Sequence, residues 1–202
     1  MQTNRMEAFS DGVIAIIITI MVLEIKVPHE TTLNALLAIA PVFLSYLLSF
    51  LYVGIYWNNH HHLLHSIHKV NGKILWANLH LLFWLSLIPF ASGWMGENHL
   101  EPLTVMLYGT VLLSAGVAYY LLVTTLASLH GNASLLSQAV GDKAKEKISL
   151  LIYFISIPLA YWQPWLSLAG YFFVAVMWLV PDSRIERQLG KASESRKSQV
   201  LR

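Results

Sequence analysis

Arg5-Met6-Glu7-Ala8-Phe9-Ser10-Asp11-Gly12 runs directly into VIAIIITIMVLEIKVP, residues 13–28, and the reading of this stretch decides the fold. The apolar part from Gly12 to Leu23 is too hydrophobic for the surface of a soluble domain. It is also short for a membrane span: at about 1.5 Å per residue it covers roughly 18 Å, against a hydrocarbon core of about 30 Å. To cross, the helix must take Ser10, Asp11 and Glu24 into the bilayer or to its edges. Ionisable groups there are costly and face protein or a water-filled path rather than lipid. The stretch therefore reads as a first membrane helix that lines a pathway.

The remaining composition agrees. Of 202 residues, 56% are hydrophobic and 12% charged, whereas soluble domains carry about 25% charged residues. This is the composition of an all-α integral membrane protein. The absence of cysteine excludes disulfides, zinc–thiolate sites and iron–sulfur clusters. No GxSxG, P-loop or HExxH pattern is present. Glu7 and Asp11 interrupt the basic region that a cleaved signal needs, so none is expected.

Hydropathy predicts six transmembrane helices, at about residues 6–25, 33–57, 73–94, 103–129, 148–162 and 165–180. They form one membrane domain, 1–182, followed by a basic tail, 183–202. With the amino terminus inside, twelve of the 13 Lys and Arg residues are cytoplasmic and Lys26 alone is outside. An odd number of spans would spoil that asymmetry, so both termini are expected in the cytoplasm. Trp57, Trp76 and Trp178 then fall near the inner face and Trp94, Trp162 and Trp165 near the outer, as interfacial belts require. Trp84 falls mid-span, which calls for packing instead. No internal repeat is visible. One six-span unit with one pathway helix is small for a transporter of paired halves, and suits a subunit that completes its pathway by oligomerising.

At about 100° per residue, Gly12, Ile16, Thr19 and Leu23 fall within about 60° of one another, flanked by Ile20. Asp11 lies about 120° away, on the face of Ala15, Ile18 and Val22. Asp11 is therefore expected to face its own bundle and meet a polar partner, leaving the stripe free to face a symmetry axis. Such a stripe more often faces lipid or packs on another helix, and Thr19 can simply bond back to its own backbone. The functional alternative is a ring of bulky apolar side chains that closes a pore by dewetting, beside one ring of hydroxyls.

Five of nine histidines lie between His60 and His68. His61, His65 and His68 share a helical face, but the other four are scattered, so no tightly bound metal and no cofactor is expected. His60 or His61 is placed to meet Asp11 or Ser10, and Asn78 lies at a similar depth. Glu24, Glu97 and Glu101 fall at the outer side, where they read as solvated loop residues rather than a cation-enriching mouth.

Arg5-x-x-x-Phe9-Ser10-Asp11 at the start of a first span resembles the signature of the transmembrane protein 175 family of potassium channels in its prokaryotic form. The resemblance continues through Trp57-x-x-His60-His61 and LWANLHLLFWLSLIPF, residues 75–90. It implies a potassium-selective channel without a TVGYG filter, assembled as a homotetramer whose pore is lined by the first helix. It puts Ile16, Ile20 and Leu23 at the hydrophobic constriction, with Thr19 contributing hydroxyls where permeant potassium ions pass. It makes Arg5, Phe9, Ser10 and Asp11, with Trp57, His60, His61 and Asn78, a structural network rather than a pathway. The implied location is the plasma membrane of a prokaryote. The partners are other copies of the chain and the lipid bilayer, with no nucleic acid. Two other readings stand beside this one: a proton- or cation-coupled transporter in which Asp11 and the histidines carry protons, and a histidine-ligated membrane oxidoreductase.

Overall fold

The computed structural model describes residues 3–65, 67, 70–130 and 144–179. The expectations for His68, Lys69, Lys143, the end of the sixth span and the tail lie outside the described residues. Among the described residues, the regular elements are helices: α1 Thr3–Leu23, α2 Leu33–Ala38, α3 Ala40–His65, α4 Gly72–Ser86, α5 Ile88–Glu97, α6 Pro102–His130, α7 Ala144–Leu159 and α8 Pro164–Leu179. Four are long and apolar enough to cross a membrane: α1, α3, α6, and α4 with α5 taken together over Gly72–Glu97. α8 is apolar but 16 residues long.

Prolines and caps explain where the helices differ from the hydropathy reading. The span expected at 73–94 is broken at Leu87, because Pro89 in the first turn of α5 has no N–H to continue the ladder. The pair then runs on to Glu97. The span expected at 33–57 is broken at Ile39, between α2 and α3. Pro41 sits in the first turn of α3, where a missing N–H costs nothing. Thr32 and Asn71 cap α2 and α4, their side-chain oxygens accepting from Ala35 N–H and Ile74 N–H. α3 does not end at Trp57; it stays helical through Asn58 to His65. α7 starts at Ala144, so Lys145, Glu146 and Lys147 belong to a helix and not to the expected loop.

α6 is the central helix and packs on α4, α5, α7 and α8, while α1 packs on α3, α4 and α5. Buried tyrosine hydroxyls pair across these contacts, as an apolar interior demands. Tyr153 O–H donates to Tyr52 Oη at 3.0 Å, and Tyr52 O–H to the Tyr171 carbonyl at 2.6 Å. These bonds join α7, α3 and α8. Ser49 on α3 bonds to Ser92 on α5 at 2.9 Å and to Tyr108 on α6 at 3.0 Å.

Gly96 lets α5 touch the backbone of α3: a Cβ built there would stand 2.6 Å from Val42 Cα. Gly96→Ala is expected to force these helices apart, at a cost of about 1–3 kcal/mol typical of overpacking. Thermal unfolding in detergent checks this. Gly54→Ala, where nothing lies within 4 Å of the added carbon, should not lower the melting temperature.

Candidate functional site: the first helix and its clasp

α1 buries Thr3, Met6, Ser10, Ile14, Ile17 and Met21. These positions recur at three- and four-residue steps, one face of a helix. The opposite face holds Gly12, Ile16, Thr19 and Leu23, all exposed on the subunit. Ile16 is 58% exposed and Leu23 79%, so both side chains stand largely open on the described subunit. Thr19 O–H donates to its own helix, to Ile16 O at 2.8 Å and Ala15 O at 3.2 Å. The stripe divides further. Ile16 and Ile20 border an open groove of about 530 Å³ between α1 and α5, facing Pro89, Phe90 and Trp94. Thr19 and Leu23 do not line it. Glu24 and Glu97 close its far end, and Lys26 pairs with Glu97 there.

The polar start of α1 is tied to α3 and α4. Ser10 is fully buried; its O–H donates to Met6 O at 2.8 Å, and its oxygen accepts from Asn78 Nδ2 at 2.9 Å. Asn78 Oδ1 lies 2.8 Å from His60 Nε2. With the amide donating to Ser10, its oxygen can only accept, so Nε2 of His60 carries the proton. Nδ1 of His60 is then a buried acceptor without a partner. Asp11 sits beside this chain at the edge of the bundle and accepts from Trp57 Nε1 at 3.1 Å. The structure thus brings together Ser10, Asn78 and His60, and separately Asp11 and Trp57. Arg5 and Phe9 stand outside these bonds on the exposed surface, and His61 turns elsewhere, to Glu7.

Glu7 is the residue that sequence reasoning passed over. Its carboxylate lies 3.3 Å from His61 Nδ1 and 3.8 Å from His65 Nε2. A signal was available: α1 and α3 run antiparallel, so one turn back from Asp11 on α1 meets one turn on from Trp57 on α3. Trp84, mid-span, donates its Nε1 proton to His80 Nε2 at 3.0 Å, one turn back on α4.

A polytopic helical membrane protein, with a first helix clasped at one end and bare along an uncharged stripe, is what this geometry defines. The TMEM175 family profile, described as endosomal/lysosomal potassium channel TMEM175, matches residues 5–89. A protein of Chryseobacterium sp. (strain P1-3), named a potassium channel, is 50% identical over 189 residues, covering 94% of this chain and 98% of its own. The crystal structure of a Chamaesiphon minutus protein, described as a lysosomal potassium-selective channel TMEM175 homolog, superposes with a TM-score of 0.78 at 26% identity. That match covers 88% of this chain and 96% of the other. The human protein named endosomal/lysosomal proton channel TMEM175 is 30% identical over 173 residues, which is 78% of this chain and 34% of that one. The chain belongs to the TMEM175 family, which is one of ion channels and not of enzymes.

Ser10, Asn78 and His60 satisfy one another, so removing one orphans the next at about 1–3 kcal/mol per buried group. Asn78→Ala and His60→Ala are each expected to lower the unfolding temperature. The double variant should lose less than the sum, since both singles break the same bond. Additive losses would show that the two side chains act independently.

Proposed function

We propose that the chain is the subunit of a potassium-selective cation channel, a homotetramer in the plasma membrane of a prokaryote. Six spans are read from α1, α3, α4 with α5, α6, α7 and α8, with both termini cytoplasmic by the distribution of Lys and Arg. α7 and α8 have 16 residues each, or about 24 Å of helix, a short crossing. The pore is lined by α1 of each copy, with Ile16, Ile20 and Leu23 at the hydrophobic constriction and Thr19 as a hydroxyl ring beside the permeant potassium ions. No cofactor takes part.

The observation that carries this reading is the direction of the stripe. From Gly12 to Leu23 the face of α1 opposite its packing face carries no charge and is exposed on the subunit, as it must be if identical copies are to meet around an axis. The clasp at Ser10, Asn78 and His60 sits off that face and suits a structural role. The names of the bacterial relatives supply the ion. The groove flanked by Ile16, Ile20 and Phe90 supports assembly, since a neighbouring copy would fill it. The names of the animal relatives favour a second reading, proton conduction through the same helix.

Purified protein in planar bilayers should give unitary currents that reverse at the potassium equilibrium potential. Equal sodium and potassium permeability would overturn the reading, and reversal that follows the proton gradient would establish the second one. Ile16→Asn is expected to raise conductance several-fold by wetting the constriction, and Thr19→Val to reduce potassium selectivity. Detergent-corrected mass should be that of four chains.

A further inference from the structure

We propose that Glu7, His61 and His65 bind one divalent transition-metal ion of the zinc type, at a site shared between α1 and α3. Each offers one ligand atom, and the three atoms lie within 4.8 Å of one another. Nδ1 of His61 and Nε2 of His65 both converge on the same oxygen, Glu7 Oε1, at 3.3 Å and 3.8 Å. A tetrahedral ion with ligands at about 2.0–2.1 Å holds its donor atoms roughly 3.3 Å apart. The two nitrogen–oxygen separations, 3.3 Å and 3.8 Å, are already close to that spacing.

Supporting residues hold the ligands in place. His61 and His65 stand one turn apart on α3, their ring centroids 4.4 Å from each other, which places both imidazoles on one helical face. The His61 ring stacks on Trp57, and Trp57 is held by Asp11. The Glu7 side chain is 23% exposed, that of His61 38% and that of His65 60%, so the site opens to water on the His65 side. Two imidazoles and a carboxylate leave a fourth position for that water. Imidazole nitrogen favours zinc, copper, nickel or iron over magnesium and calcium. Both imidazoles must be neutral to bind, so acid competes with the metal.

Occupancy would fasten the first two turns of α1 to the last two of α3, next to the Ser10–Asn78–His60 bonds. The proposal does not depend on what the pore conducts, and its test reads binding alone. Full-length protein in detergent is titrated calorimetrically with zinc chloride. We expect about one zinc per chain, weaker binding at acid pH, no displacement by excess magnesium or calcium, and a higher unfolding temperature with zinc. Glu7→Gln, which keeps the side chain's shape, should weaken binding at least about tenfold and abolish the thermal shift, and so should His61→Ala. His80→Ala should change neither. Zinc binding that survives Glu7→Gln but not His65→Ala would overturn the shared site and leave the metal on α3 alone. Binding that survives all the variants, or none in the wild type, would overturn it outright.

Discussion

The structure depends on one short chain of hydrogen bonds running from Met6 O through Ser10 and Asn78 to His60. In hydrocarbon no water is available to satisfy a polar side chain, and an unpaired one costs far more than a bond gains. The Ser10 hydroxyl gives its proton to Met6 O on its own helix, and the buried Asn78 amide on α4 needs the Ser10 oxygen as its acceptor. Because Asn78 is the partner that fits, the rotation of α1 about its own axis is set. Everything on its far side follows from that rotation, since turning Ser10 inward turns Gly12, Ile16, Thr19 and Leu23 outward. A helix with apolar residues on both faces has little hydrophobic preference between them inside a bilayer. The polar bonds supply it.

Much of this was legible in the residues. The long spans emerge from hydropathy because the helices that carry them are apolar throughout, and the two faces of α1 emerge from its period. The breaks at Ile39 and Leu87 were signalled by Pro41 and Pro89. Their positions depend on which carbonyls find substitutes, and that is a matter of packing. The predicted span ends at Trp57, yet the helix continues to His65, and Asn59, His60 and His61 find partners on their own and neighbouring helices. Hydropathy counts their polarity and is blind to those partners. Glu7 stayed hidden for a related reason. Its meeting with His61 and His65 depends on the register of two antiparallel helices 54 positions apart along the chain. Nothing local marks that register except the parallel pairing of Asp11 with Trp57.

The tyrosine contacts have a different task. Tyr52, Tyr153 and Tyr171 join α3, α7 and α8 through hydroxyl and carbonyl bonds, and Tyr171 O–H reaches Val105 O on α6 at 3.3 Å. The subunit therefore has a half cross-linked by hydrogen bonds around α6 and a first helix packed on α3, α4 and α5 along one face. That arrangement suits a fixed scaffold beside a helix that other copies of the chain would complete.

Thr19 spends its one proton on the carbonyls of its own helix. What remains on its outer side is oxygen lone pairs. In the proposed pore, a positive ion passing that surface would meet an acceptor, and a negative ion would meet no donor. On that proposal the sign of charge would be distinguished by the orientation of a neutral hydroxyl, set by the backbone one turn below it, with no carboxylate on the stripe from Gly12 to Leu23.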